Sequence, residues 1–390
     1  MINRDFLPVL NSFLKSFPVV LVLGARQVGK TTLIKKTLAK THKYVLLEDP
    51  DIREIAINDP RAFLEKFKTP LIIDEFQNAP QLVSYLQGLV DANRNLKGQI
   101  VLTGSQNFQM MEQVTQSLAG RIGILTMYGL SSVEMKKDSV CDQKSIAELI
   151  LRGSYPELWK DTEIKTKYWM SSYVQTFLER DLRKLAQVGD LASFERFLKV
   201  VAIRTGHILN VSEIAKDCGV SSPTAQKWLS ILERAYIIKV VPPFYNNLTS
   251  RLRKASKLYF LDTGLASYLM GFRDASSLLN SPQIGALFET LVYSDFIKRM
   301  ANHDDIPDHF YLQTKSKVGV DFVVQKNQKI DLYEIKFSTT YQNRLTDQLI
   351  LTAEALKNIN SLNLIMPTAE SYQTKFRSHQ IYIKNWSQLN

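Results

Sequence analysis

The sequence predicts an α/β chain that opens on a parallel sheet with crossover helices, passes through a helical and helix-turn-helix region, and closes on a separate α/β tail. Three observations carry this. Between residues 18 and 135 the apolar runs VVLVLG, KYVLLE, PLIIDE, QIVLTGS and IGILTMYGL alternate with helix-like segments, as strands joined by crossover helices do. From about 143 to 205 the apolar spacing turns helical, as in SSYVQTFLERDLRKL. The rest of the chain mixes the helix GALFETLVYSDFIKRM with three short strands, a second helix and two further apolar runs. A chain of 390 residues is too long for one core. The pattern divides it at 1–142, 143–205, 206–275 and 276–390, with no internal repeat or low-complexity tract between them.

Composition excludes several classes. A hydrophobic content of 45% with 22% charged residues describes an ordinary globular protein. The apolar run FPVVLVLG is less than half a membrane span, so no membrane partner is expected. The opening MINRDFLPVLNSFLKSF carries an early acid and no small-residue cleavage site; it reads as an amphipathic helix packed on the elements after it. Cys141 and Cys218 stand far apart without metal-ligand spacing. That argues for a reducing, cytoplasmic setting with neither a disulfide framework nor a zinc site. The net charge of +11 suits a chain that meets polyanions, and its distribution matters more than its size.

The first strand runs into LVLGARQVGKTTL, which fits G-x-x-x-x-G-K-[ST] with Gly24, Gly29, Lys30 and Thr31 in place. An apolar strand before it and an amphipathic helix after it are the context this phosphate loop requires. Its glycines let the backbone N–H groups of Gly24, Ala25, Arg26, Gln27, Val28, Gly29, Lys30, Thr31 and Thr32 turn toward phosphate oxygens, and the helix N-terminus adds partial positive charge. Lys30 is expected at the β and γ phosphates and Thr31 on Mg²⁺. The strand PLIIDEFQ ends in Asp74, placed for Mg²⁺, and Glu75, placed to orient an attacking water. No N-K-x-D guanine-reading motif occurs, which favours ATP over GTP. The strand IVLTGSQ brings Thr103 and Ser105 to the same sheet edge, where a polar residue touches the γ-phosphate or water, or caps a helix. Arg121 in SLAGRIG reads equally as an arginine finger, acting in cis or on a neighbouring copy of a homo-oligomer, and as a surface salt bridge.

The succession GARQVGKTTL, LIIDEFQ, VLTGSQ, SLAGR, RGSYPE and FLERDL resembles a prokaryotic family of AAA-type P-loop ATPases whose C-terminal domain is of unknown function. The resemblance runs over nearly the whole chain and is most specific in the first third. It implies a P-loop AAA-like parallel sheet, a winged helix and a restriction-endonuclease-like α/β tail.

In the middle, LNVSEIAKDCGVSSPTAQKWLSILERAYIIKVVPPF reads as helix, tight turn at Gly219, second helix, then strand. Ser222 is expected to cap the second helix, with Pro223 at its first position. Thr224, Gln226 and Lys227 then face outward near the end that enters a major groove in DNA-reading proteins. The following loop supplies a wing carrying Arg251, Arg253, Lys254 and Lys257. Residues 204–260 hold nine Lys or Arg against three acids, a clustering that favours a phosphate-backbone footprint. Packing on the nucleotide domain or on a partner protein is the competing reading.

The tail poses a narrower question. Two strands, VGVDFVVQ and KIDLYEIK, are joined by a polar turn at 326–328; Asp321 lies in the first, and Glu334 and Lys336 share a face of the second. The helix before them presents Glu289. Helix acid, strand acid and E-x-K resemble the order of restriction-endonuclease-like nucleases, though Val320 stands where that pattern often has proline. In such a site Asp321 and Glu334, helped by Glu289, hold Mg²⁺ while Lys336 stabilises the nucleophile. The competing reading is an inactive nuclease fold in which Glu334 and Lys336 merely pair. The leading expectation is therefore a Mg-ATP-dependent AAA-like ATPase that binds DNA. The alternatives are an ATP-gated Mg-dependent nuclease and a nucleotide-controlled scaffold without nucleic acid.

Overall fold

Val19–Leu23 is apolar and buried at every position, and it forms β1, inside a parallel sheet covered on both faces. The computed structural model describes residues 2–104, 116–176, 191–244, 255–313 and 318–389. The sheet has five strands in the order β2-β3-β4-β1-β5, all parallel, with β2 Lys43–Leu46, β3 Leu71–Asp74, β4 Ile100–Thr103 and β5 Ile122–Thr126. Side chains alternate across it. Val19, Leu21 and Leu23 pack with Ala56, Phe63, Leu82, Leu86 and Val90. These come from α3 (Pro50–Asn58), α4 (Pro60–Lys66) and α5 (Leu82–Ala92). Val20 and Val22 face Phe6, Leu10, Leu33 and Ile34, which belong to or adjoin α1 (Leu7–Ser16) and α2 (Lys30–Leu38). The N-terminal helix thus packs on the sheet as its amphipathic pattern predicts. Because the strands are parallel, the carboxyl ends of β1, β3 and β4 open on one edge.

The middle is helical through α6 (Gln143–Arg152), α7 (Pro156–Lys160), α8 (Thr166–Tyr173) and α9 (Leu191–Ile203). Most of the segment SSYVQTFLERDLRKL, including FLERDL, lies outside the described residues. Next come α10 (Val211–Cys218), a turn with Gly219 at φ 69°, and α11 (Ser222–Arg234). The cap of α11 is Ser221, whose side chain accepts the Thr224 N–H, and Pro223 occupies the second helical position. Ser222 is already helical, so the expected cap moves back by one residue. Three antiparallel strands in the order β6-β8-β7 complete this region: β6 His207–Ile208, β7 Ile238–Val241 and β8 Lys257–Phe260. Two helices follow, α12 (Thr263–Met270) and α13 (Ala275–Leu279).

The tail begins with α14 (Ile284–Asn302), which is buried along most of its length. A mixed six-stranded sheet follows in the order β13-β14-β12-β11-β10-β9. Its strands are β9 Asp308–Gln313, β10 Gly319–Lys326, β11 Lys329–Ile335, β12 Ile359–Met366, β13 Tyr372–Phe376 and β14 His379–Asn385, with α15 (Asp347–Glu354) before β12. Asn327 and Gln328 both take positive φ, closing the β10–β11 hairpin with a two-residue turn. Three strands follow α15, where the apolar pattern predicts two. The extra one, β13, reads YQTKF and is an edge strand with no buried position, so it lacks an apolar signal.

One apolar cluster ties the regions together. Ala25 and Val28 of the phosphate loop share it with Phe197, Trp228, Phe288, Phe296 and Trp386. None of the described helices is long and apolar enough to cross a membrane.

Candidate functional site

The loop after β1 folds as its glycines require. Gly24 takes φ 148° and a Cβ there would meet the Met127 carbonyl oxygen at 2.0 Å, so only glycine passes. Gly29 takes φ 93° at the N-cap of α2, which has no side-chain cap, leaving the helix start to offer its own N–H groups. Lys30 is buried and its Nζ donates to the carbonyls of Gly24 at 2.9 Å and Ala25 at 2.8 Å. Burial pushes the Lys30 ammonium down to about 8, against the opposing pull of Glu75 and Asp74.

Asp74 is the hub of the sheet edge. Its carboxylate accepts from Thr31 Oγ1 at 3.2 Å, from Tyr44 OH at 2.7 Å, from Thr103 Oγ1 and from the Glu75 N–H at 3.1 Å. A carboxylate and a hydroxyl so close, beside an uncapped helix start, fit a Mg²⁺ ion that arrives with nucleotide. Glu75 turns out of the strand at φ 53°, in a left-handed conformation that costs a non-glycine residue about 1 kcal/mol. Gln77 Nε2 donates to its carboxylate, and burial raises the Glu75 pKa. The sheet therefore brings Lys30, Thr31, Asp74, Glu75 and Thr103 together. Ser105 lies outside the described residues. Arg121 is engaged elsewhere, in a two-pronged contact with Asp91 of α5 at 2.7 and 2.9 Å.

The tail residues also converge. Glu289 of α14, Asp321 of β10, Glu334 of β11 and Lys336 just past its end form one alternating array, but a further lysine joins them. Lys257 Nζ of β8 lies 2.6 Å from Glu289 Oε1 and 3.3 Å from Asp321 Oδ1. Lys336 Nζ lies 2.6 Å from Glu334 Oε1 and 3.9 Å from Asp321 Oδ2. Tyr259 OH donates to Glu289, and the Ile335 N–H donates to Asp321 at 3.0 Å. Burial pushes the Glu289 carboxyl up to about 7 and the Glu334 carboxyl up to about 8, and the Asp321 charge adds to both. Burial acts against Asp321 too, but the Lys257 and Lys336 ammoniums hold it below its ordinary value. Among the described residues, no group of three or more His, Cys, Asp or Glu side chains is arranged to hold a metal ion. The tail cluster does not fit the divalent ion its resemblance implies, because an ammonium stands between two of its carboxylates.

Residues 16–136 match the family model described as AAA domain. The front of the chain is an AAA-type P-loop domain. Residues 143–276 and 284–386 match two further models, each described as a domain of unknown function (DUF8612 and DUF4143). An uncharacterized protein of Mycobacterium tuberculosis is 28% identical over 339 residues, covering 87% of this chain and 74% of its own length. An uncharacterized protein of Haemophilus influenzae is 22% identical over 333 residues, covering 82% and 77%. Among solved structures, a RuvB variant from Thermotoga maritima is 18% identical with a TM-score of 0.31, over 61% of this chain and 89% of that one. AMPPCP-bound DnaA from Aquifex aeolicus is 14% identical with a TM-score of 0.30, over 58% and 85%.

Two groups beside the phosphate loop and its sheet edge escape sequence reasoning. Tyr44 reaches Asp74 from the edge strand β2, and a tyrosine in a strand signals nothing by itself. Arg4, ahead of α1, is buried: it pairs with Glu134 at 2.8 Å and donates to the Val28 carbonyl within the phosphate loop at 2.9 Å. In the helix-turn-helix, Gln226 and Lys227 are exposed, while Thr224 is half-buried and bonded to Ser221. Arg251, Arg253 and Lys254 lie outside the described residues. Lys257 is no wing residue. It is buried in β8, because its strand partners and two carboxylates enclose it.

Proposed function

We propose that the AAA domain binds and hydrolyses Mg-ATP, and that the helix-turn-helix region acts as a winged helix that meets DNA. The observation that carries the first part is the convergence of Thr31, Tyr44 and Thr103 on Asp74, beside Glu75 and the uncapped start of α2. The loop N–H groups from Gly24 to Thr32 cradle the phosphates, and Lys30 leaves its loop carbonyls to pair with the β and γ phosphates. Thr31 and Asp74 hold Mg²⁺, which when bound neutralises phosphate charge. Glu75 orients the attacking water and accepts its proton, a task that its raised pKa assists. Ser105 is assigned to the γ-phosphate and Arg121 to an arginine finger; the latter requires release from Asp91.

The charge balance of residues 204–260 supports the DNA reading, with Gln226 and Lys227 exposed at the start of α11. The test is phosphate release by wild type, Lys30→Ala and Glu75→Gln, with DNA binding measured across salt concentrations. The reading expects both variants to lose turnover, Glu75→Gln by roughly 10²-fold or more. It also expects DNA affinity to fall steeply with salt and Lys227→Ala to flatten that slope by about 1. Turnover indifferent to Lys30 would sink the ATPase, and salt-independent or absent DNA binding would leave a nucleotide-controlled scaffold.

A further inference from the structure

The array in the tail differs from a metal site in one residue, and that residue comes from outside the tail. Glu334 and Lys336 lie two apart at the end of β11, and Asp321 faces them from β10. Lys257 is delivered by β8, a strand of the three-stranded sheet, and it enters between Glu289 and Asp321. It does not hang from a loop. Its backbone is held on both sides, opposite Ile208 of β6 and opposite Val241 of β7. Only 7% of Lys257 and 8% of Glu289 are exposed, so both groups are largely shielded from bulk water. Tyr259, two residues along the same strand face, donates to the same Glu289 oxygen that Lys257 approaches, and its ring stacks on Tyr293 of α14 at 4.1 Å.

We propose that the ammonium of Lys257 is the resident cation of this carboxylate cluster, taking the seat between Glu289 and Asp321 so that no divalent ion binds there while β8 stays paired. The chemistry favours this occupant. A divalent ion needs oxygen ligands at about 2.0–2.6 Å and repels a neighbouring ammonium, whose backbone the strand pairing holds beside the cluster. With two lysines against three carboxylates, most of the negative charge is already balanced by the chain itself. Lys336 holds one oxygen of the Glu334 carboxylate at 2.6 Å, and the other, Oε2, is buried without a hydrogen-bond partner. The cluster's work is then mechanical: it clamps β8 to α14 and β10, joining the region matched as one domain of unknown function to the region matched as the other. The inference is independent of the nucleotide site.

The test is Mn²⁺ uptake by the full chain without nucleotide, read from the paramagnetic resonance signal of free Mn²⁺. Wild type, Asp321→Asn and Lys257→Met are compared. Wild type and Asp321→Asn are expected to take up equal amounts, and Lys257→Met one more ion per chain. A wild-type site that disappears in Asp321→Asn overturns the proposal, as does a folded Lys257→Met that gains no ion. Should Lys257→Met fail to fold, reductive methylation of wild type decides. Lys257 is expected to stay unmodified with and without saturating Mn²⁺, and its methylation on adding Mn²⁺ overturns the assignment.

Discussion

Arg4 and Glu134 form a buried ion pair, Nε to Oε1 at 2.8 Å, and the same guanidinium holds the carbonyls of Val28 and Tyr128 at 2.9 and 2.8 Å. One end of the pair therefore grips the phosphate loop. Glu134 also accepts the N–H groups of Asp5 and Ser131, so the pair has its remaining lone pairs satisfied. Arg4→Met strands Glu134 and is expected to cost about 3–5 kcal/mol. Denaturant midpoints measure that loss, and ATP affinity measured well below the midpoint is expected to fall with it. Intact ATP affinity in the destabilised variant would show that Arg4 supports the fold and leaves the loop alone.

Tyr44 and Asp74 allow a finer test. Burial, and then Asp74 itself, push the Tyr44 ionisation far above the working range, so the side chain stays a hydroxyl donor. Tyr44→Phe removes one donor from the carboxylate, at about 0.5–1.5 kcal/mol of stability. As a positioning residue it is expected to raise the Mg²⁺ concentration needed for half-maximal turnover while ATP saturation changes little. Asp74→Asn is expected to abolish turnover. A Tyr44→Phe variant with a wild-type Mg²⁺ response would make the contact incidental.

Lys30 gives a pH dependence whose sign is set. Its ammonium is held down to about 8 from an ordinary 10.5, so between those values the unfolded chain carries a proton that the folded chain lacks. Stability contributed by this group therefore rises with pH across that window. Phosphate binding needs the ammonium, so ATP binding above about 8 is expected to take up a proton and to weaken by up to tenfold per pH unit. Calorimetric titration in two buffers of different ionisation enthalpy measures the uptake, and Lys30→Met is expected to remove it.

Two glycines predict opposite outcomes. Gly24→Ala drives a Cβ to 2.0 Å from the Met127 carbonyl oxygen and is expected to abolish nucleotide binding. Gly88 sits within α5, exposed, with nothing within 4 Å of an added Cβ. Gly88→Ala is expected to stabilise by about 0.5–1 kcal/mol and to leave turnover unchanged. Thermal denaturation, ATP binding and phosphate release of the two variants side by side check both.

The convergence of the candidate nucleotide-site residues is legible because its determinants are local: glycines spaced for a loop, a lysine at a helix start, acids at a strand's end. The strand period puts Glu334 and Lys336 on one face, and only the resemblance to restriction-endonuclease-like nucleases adds Glu289 and Asp321 to them; the fold brings all four into one array. Lys257 is not legible. A lysine in a basic stretch reads as surface charge, and only the pairing of β8 between two strands turns it inward. The cap of α11 slipped by one because Ser221 and Ser222 are chemically equal and backbone angles alone choose between them. Arg4 and Tyr44 act across the fold, where spacing along the chain carries no trace of them.

The helix α14 has a consequence for how the chain comes into being. Its buried residues run from Leu287 to Asn302 and include Glu289, Asp295 and Lys298. Asp295 accepts from the Ser132 N–H at 2.6 Å, near the end of the AAA domain, and Thr290 meets Thr205 of the middle region at 2.9 Å. Phe288, Leu291 and Phe296 fill the same apolar cluster as Val28 of the phosphate loop. A ribosome that has released only the first three regions therefore holds an apolar surface whose central helix has not yet emerged. Those regions reach their final packing only after synthesis has passed residue 302, and until then that apolar surface stays uncovered and prone to aggregation.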